Sequence, residues 1–455
     1  MTEKRKYHIY LVIMFGAYMF LHTTTLLLAN RASNGYISAA LEENMYYIHM
    51  IFMIMGFVSF ALLHRLLGKA GKIINCCILA VLTVGIALLC TIKTAWVFVG
   101  VGSAAVYCLG YLGGLVYWRM SMETANGSRT GLVMGIGCAV AYTLQYFLEG
   151  RSISPVLPAV IALAVFALGY VLLRHDETPE IAGNSEYNGE VKRPVICAVI
   201  IAAGFIFFNS FFNGYVHHLQ IQSNFEQIDA YAWPRLLLVP MYLAFGLLGD
   251  FKHGKFVPIA ALCAGLVTLL HSVLSASEAA YWINMCLFYV SIASAISYYN
   301  IIFWNIAPKT RHPEFWASAG RILDMLSVIV LGMAKFSALP TTAVLVLNIA
   351  VLAVVILTMA VNGDFNILTA ETQVAAGEIT DEDAFSALCL RCSLTPAEMK
   401  VARELVLTGD KQSEIADRLS IKLGTVQYHA TNIYRKADVA NRAALKEIYR
   451  SILKK

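Results

Sequence analysis

The chain has 455 residues, of which 58% are hydrophobic and only 14% charged, with a formal net charge of +5. Soluble domains carry about 25% charged residues, so an ordinary water-soluble globule is excluded. The ten cysteines are scattered, several of them inside apolar stretches, which excludes a disulfide-stapled scaffold.

From Tyr7 to Val361 the apolar residues form blocks separated by short polar breaks, and each block approaches the roughly 20 residues that a helix needs to cross a bilayer core. The first block has no small-residue cleavage site and is long enough to span, so it reads as a span and not as a signal peptide. Spans are predicted at 7–29, 45–67, 73–92, 95–118, 131–149, 154–173, 195–217, 231–249, 256–276, 279–306, 315–337 and 341–361. Lys and Arg in short loops mark the cytoplasmic side. Arg65, Lys69, Lys72, Arg119, Arg129, Arg174, Lys192, Arg193, Lys252, Lys255, Lys309 and Arg311 fall on the side of Lys4, Arg5 and Lys6, against Arg31, Lys93, Arg151 and Lys335 opposite. This bias predicts a multi-pass protein of the inner (cytoplasmic) membrane with its N-terminus inside. Twelve spans return the C-terminus to the same side.

The longest break, 174–194, is polar and reads as a cytoplasmic linker dividing the spans six and six. After the eighth span comes Gly246-Leu247-Leu248-Gly249-Asp250-Phe251-Lys252-His253-Gly254-Lys255. With the six-plus-six layout, this loop resembles the major facilitator transporters, although one extra residue precedes its second basic-flanked glycine. The resemblance implies two related halves locked together by such loops on the cytoplasmic side. The equivalent loop after the second span departs from the pattern, with Gly68 where Asp is expected. Gly110-x-x-x-Gly114 and Gly131-x-x-x-Gly135 are read as close helix packing.

Ionisable residues within spans are expensive and so are candidates for function. Arg235 stands early in the eighth span, and Arg321 and Asp324 lie one helical turn apart in the eleventh. A self-satisfied ion pair is the structural alternative for the last two, and snorkelling to the interface for Arg235. Tyr142, Gln145, Asn209, Asn213, Asn300 and Trp304 complete a candidate lining for a small organic ligand.

Residues 362–393 form an acidic connector with six acids and one Arg, whereas 394–455 carry twelve Lys/Arg against seven Asp/Glu. A basic module after an acidic connector suits an anionic partner. Leu394-Thr395-Pro396-Ala397-Glu398 opens a helix with a Thr cap and Pro at its first position. Val401, Leu405 and Val406 give it an apolar face, and Gly409 ends it. Ser413–Leu419 supplies a second helix, after which Ile421 is expected to pack in the turn. Thr425-Val426-Gln427-Tyr428-His429 starts a third helix, whose inner stripe is Val426, Ala430, Ile433 and Ala437. A fourth opens near Asn441 and carries Leu445, Ile448 and Ile452.

This C-terminal pattern resembles the LuxR/NarL-type helix-turn-helix regulators. The resemblance implies that the third helix enters the major groove of promoter DNA as part of a homodimer. Gln427, Tyr428 and Thr431 take the base-reading positions, and Lys411, Thr425, Arg435 and Lys436 those of phosphate contacts. Three positions depart from the family: Gln427 where Lys is frequent, Gly424 where a polar cap is frequent, and Asp438 where Gly is frequent. His429 is expected to pack, and Cys389-Leu390-Arg391-Cys392 lacks the second pair that zinc needs.

The expected fold is therefore all-α. A twelve-span bundle of two six-helix halves (1–361) precedes the connector (362–393) and a cytoplasmic four-helix helix-turn-helix domain (394–455). The expected function is a membrane-tethered transcription regulator that senses a small molecule through its spans. The alternative is a transporter with an appended regulatory domain. No nucleophile–base pair, phosphate loop or metal cluster is found, so no enzyme, cofactor or metal is expected.

Overall fold

The computed structural model describes residues 3–30, 39–67, 71–125, 127–149, 156–174, 192–222, 233–274, 277–333, 339–361, 385, 388–389, 392, 394–408, 410–437, 439 and 441–453. Residues 175–191 of the expected linker and 362–384 of the expected connector lie outside these. No strand occurs among the described residues. The chain divides into two compact units, Met1–Leu368 and Thr369–Lys455.

In the first unit the helices are α1 (Glu3–Ala29), α2 (Ala39–Leu67), α3 (Gly71–Leu89), α4 (Ala95–Ala125), α5 (Thr130–Glu149), α6 (Val156–Arg174), α7 (Lys192–Gln222), α8 (Leu238–Asp250), α9 (Val257–Leu274), α10 (Glu278–Ile306), α11 (Pro313–Trp316), α12 (Ala319–Met333) and α13 (Thr341–Val361). Each of the twelve expected spans contains one of the longer helices. Among the described residues, eight helices are long and apolar enough to cross a membrane by length and composition. The expected eighth span is a 3-10 turn, Trp233–Leu237, running into α8. Pro234 and Pro240 fit there because the first turn of a helix has no N–H bonds to lose. The eleventh is broken into α11 and α12, with Pro313 opening the short piece.

Helix pairing repeats between the halves. In the first, α1 packs on α4, α5 and α6, while α2 and α3 pack on α4. In the second, α7 packs on α10, α12 and α13, while α8 and α9 pack on α10. The halves meet through α5 with α8, α2 with α12, and α4 with α10. At the first of these contacts the backbones almost touch. A Cβ added to Gly131 would stand 2.5 Å from the Gly246 carbonyl oxygen, and one added to Gly246 equally close to that of Gly131. The Gly131/Gly135 spacing therefore serves packing between halves, and Gly110 and Gly114 serve packing of α4 on Met53 and Phe60 of α2.

The second unit holds α14 (Pro396–Leu407), α15 (Gln412–Arg418), α16 (Leu423–Ala437) and α17 (Arg442–Leu453). Val401, Ala402, Leu405, Ile415, Val426, Ala430, Ile433 and Leu445 are buried in one core. Phe385, Leu388, Cys389 and Cys392, which the sequence reading assigns to the connector, are buried in it too. Ile421 is a correction: it is 37% exposed, and Leu419 supplies the apolar contact at this turn instead. Ser420 adopts a left-handed backbone (φ 53°) there, which redirects the chain between α15 and α16.

A helix leaves its last four carbonyls unpaired, and at the end of α14 one residue takes two of them together with two carbonyls of the loop that follows. Arg442 donates to the carbonyls of Leu405 (2.8 Å), Thr408 (2.9 Å), Glu404 (3.3 Å) and Asp410. Bonds from a charged donor contribute roughly 1.5–3 kcal/mol each. By contrast, the pairing of Arg418 with Glu404 and Asp410 is solvent-exposed and contributes little. Arg442→Ala is therefore expected to destabilise the C-terminal unit by about 2–4 kcal/mol, and Arg418→Ala by much less. Urea denaturation of both variants checks the order. Arg442→Lys should restore little, because an ammonium cannot reproduce the fork.

Candidate functional site

The second unit presents α16 through polar contacts that fix its ends. Thr395 and Glu398 form a capping box at the start of α14: the Thr395 N–H donates to Glu398 Oε2 (2.7 Å) and the Glu398 N–H to Thr395 Oγ1 (3.4 Å). The same buried carboxylate accepts from Lys436 Nζ at 2.6 Å, tying the last turn of α16 to the first turn of α14. The Lys436 ammonium, then the Thr395 N–H and hydroxyl, hold the Glu398 carboxyl down to about 2. Lys436, expected at a phosphate, is thus engaged inside the unit with its side chain 30% exposed.

With Val426, Ala430 and Ile433 buried, the opposite face of α16 exposes Gln427, Tyr428, Thr431 and Arg435. Tyr428 is 65% exposed although it is large and aromatic. Thr425 is half-buried at the start of the helix, and Lys411 is exposed before α15. All three expected base-reading positions share this one open face. His429 is half-buried beside Tyr428. Cys389 and Cys392 are buried free thiols, and burial, followed by the neighbouring Cys392, pushes the Cys389 thiol up.

In the first unit the ionisable residues gather where the halves meet. Arg321 Nη1 donates to Asp324 Oδ2 (2.6 Å) and to the Tyr299 hydroxyl (3.2 Å), which itself donates to Asp324 (3.3 Å). Arg321 Nη2 lies 2.7 Å from His22 Nε2 across the interface. A guanidinium only donates, so Nε2 is the acceptor and the ring proton sits on Nδ1. The Arg321–Asp324 pair expected from sequence is thus present, but it is not self-contained. Aromatic rings surround it: Tyr18 lies edge-on to His22 and Tyr117, and Trp304 edge-on to Phe15 and Tyr117.

The other expected lining residues are more dispersed. Tyr142 of α5 stacks on Tyr242 of α8 at 5.4 Å, and Arg235 lies half-buried in the 3-10 turn ahead of α8. Asn300 of α10 reaches Met134 Sδ of α5 at 3.7 Å. Gln145 is buried. Asn209 donates to the Phe205 carbonyl of its own helix, and the Asn213 side chain lies outside the described residues. Sequence reasoning missed His22, Tyr18, Tyr117 and Tyr299. A histidine within an apolar span was the available signal for the first; the tyrosines carry none apart from their neighbours.

Two further links join the halves at the end of the bundle where α1 begins. The Asp250 carboxylate accepts the N–H groups of Gly131 (2.9 Å) and Leu132 (2.8 Å), capping α5 from α8. This is the acid of the Gly-Asp-basic loop. On the α2 side, where Gly68 replaces the expected Asp, Arg65 pairs instead with Glu314 and the Arg311 carbonyl.

Residues 392–448 match the family described as bacterial regulatory proteins, luxR family (GerE). The C-terminal unit carries a LuxR-type helix-turn-helix. Among solved structures the chain is similar to the crystal structure of the human organic anion transporter MFSD10 (TETRAN). The match has a TM-score of 0.54 and 12% identity, covering 81% of this chain and 100% of that one. At such identity the likeness concerns the fold alone, which the helical first unit shares with that transporter. No curated protein matches the chain at significance. The chain thus joins a helical unit with the fold of that transporter to a LuxR-type helix-turn-helix unit, and neither similarity is to an enzyme.

Two outcomes follow from the site geometry. Glu398 has its carboxyl lowered on folding, so its stabilising contribution is full above about pH 4.5 and is lost as pH falls toward 2. A pH series of denaturation curves should show this loss, and Glu398→Gln, which keeps the cap, should flatten it. Asp324→Asn leaves the Arg321 charge without its anion and should destabilise the membrane unit by about 3–5 kcal/mol. Melting in detergent checks this, with part of the loss recovered in the Arg321→Gln, Asp324→Asn double variant.

Proposed function

We propose that this protein is a membrane-tethered transcription regulator that binds a small molecule between the halves of its membrane domain and controls promoters through α16. The observation that carries the DNA-binding part is the open face of Gln427, Tyr428 and Thr431 on a helix whose other face is fixed in the core. Those three contact base edges; Lys411, Thr425 and Arg435 contact phosphates, joined by whatever donor capacity Lys436 retains beside Glu398. Both termini are cytoplasmic in the inner membrane, since the helix-turn-helix must reach DNA, and the protein binds DNA as a dimer.

The buried cluster supports a particular kind of ligand. Tyr18 Oη, His22 Nδ1, Trp304 Nε1 and Arg321 Nε are buried without partners, and three of these are N–H donors. Arg321 and Asp324 cancel each other, so a charged ligand would remain uncompensated at a cost of several kcal/mol. The ligand is therefore an uncharged, flat molecule with acceptor oxygens. It acts by favouring one arrangement of the halves, because a ligand shifts an equilibrium only through differential affinity.

Paired aromatic primary amides and their parent acids, screened by thermal shift on the purified full-length protein, should yield hits among the amides. A hit is expected to change affinity for bound genomic fragments about tenfold and to bind vesicles without being moved across them. Turnover of the hit would instead favour a transporter carrying a regulatory domain, the fold it shares with MFSD10.

A further inference from the structure

The three positions of α16 proposed to read bases, Gln427, Tyr428 and Thr431, are uncharged, and Arg435 on the same open face is proposed at a phosphate. Between Lys422 and Arg435 the sequence is Leu423-Gly424-Thr425-Val426-Gln427-Tyr428-His429-Ala430-Thr431-Asn432-Ile433-Tyr434, with no Asp, Glu, Lys or Arg. Its exposed members are Leu423 (42% exposed), Gly424, Gln427, Tyr428 and Thr431. Each base is recognised by a different side-chain chemistry in the major groove. Guanine is taken by Arg or Lys on O6 and N7, and cytosine by a carboxylate on its amino group. Neither chemistry is available here. Gln pairs two-point with adenine N6 and N7, and apolar or aromatic groups and the Thr methyl contact the thymine methyl.

Gly424 adds an independent observation. Glycine weakens a helix relative to alanine, so its presence in the first turn of α16 calls for a reason. No left-handed backbone requires it, since Gly127 and Gly254 are the glycines with positive φ among the described residues. Nor does packing, because a Cβ added at Gly424 would have nothing within 4 Å. Neither backbone strain nor packing inside the unit therefore accounts for a glycine here. The first turn of a helix also carries unpaired N–H groups that favour a phosphate.

We propose that α16 reads a half-site core made of A·T base pairs. Gln427 takes an adenine, Tyr428 and Thr431 take thymine methyls, and the DNA backbone lies against Gly424. This rests on the DNA-binding reading above and adds the base composition of the site.

The test is selection by the full-length protein in lipid nanodiscs from a duplex library with a randomised central segment. The expected half-site has A·T pairs at the core positions, and replacing its core thymines with uracil should weaken binding about tenfold. Tyr428→Ala should reduce that uracil sensitivity, Tyr428→Ala with Thr431→Ser should abolish it, and Gln427→Arg should convert one core position from adenine to guanine. Gly424→Ala should raise the melting temperature of the C-terminal unit while lowering DNA affinity about tenfold, which separates loss of contact from loss of folding. A wild-type core with an invariant guanine, or indifference to uracil, overturns the proposal while leaving DNA binding intact. Unchanged affinity in Gly424→Ala overturns the backbone contact. Enrichment of no sequence overturns the DNA-binding reading itself.

Discussion

A guanidinium largely enclosed where two helical halves meet takes its partners from both sides of the joint, and Arg321 does so. Asp324 and Tyr299 come from the second half, His22 from the first. Breaking any one of these in a low-dielectric setting leaves a charge or a donor unpaired, which is far more costly than losing an exposed ion pair. The aromatic shell of Tyr18, Tyr117 and Trp304 keeps that penalty high. The position of one half is thereby coupled to the protonation and hydrogen bonding of the other. At the end where α1 begins, Asp250 on the α5 N-terminus and Arg65 on Glu314 fasten the same halves.

The helix-turn-helix unit uses charge differently. Its most engaged cations are structural: Arg442 closes α14, and Lys436 holds α16 to the capping box. Arg418 is occupied by Glu404 and Asp410. The net positive charge of the unit therefore overstates what is free to meet phosphate. Lys411, Lys422 and Arg435 remain as exposed cations around a neutral reading face. Under the proposed DNA-binding reading, pairing of two copies on one site would multiply the modest contacts of each.

Much of this was legible in the sequence, because a bilayer admits only helices whose apolar length matches its thickness. Every expected span contains a helix, and the capping box at Thr395 and Glu398 and the inner stripe of α16 lie where periodicity puts them. Legibility failed where partners come from far along the chain. The three-residue spacing of Arg321 and Asp324 announces their pair; nothing local announces His22, 299 positions away. The roles of Lys436 and Arg442 were hidden likewise, since a basic residue beside a recognition helix reads equally as a phosphate contact or as an internal brace. Ile421 shows the converse failure. Its apolar side chain suggests burial, but the left-handed turn at Ser420 leaves it on the surface.

The central claim is that a chain anchored in the membrane by its first unit occupies specific promoters through its second. Mapping genomic occupancy of the intact, tagged protein in its native cells tests it most directly. The account predicts a few sharp promoter peaks that vanish when Gln427 and Tyr428 are both replaced by alanine, with membrane abundance unchanged. Absence of peaks across a range of small-molecule supplies, or peaks indifferent to those substitutions, would contradict it.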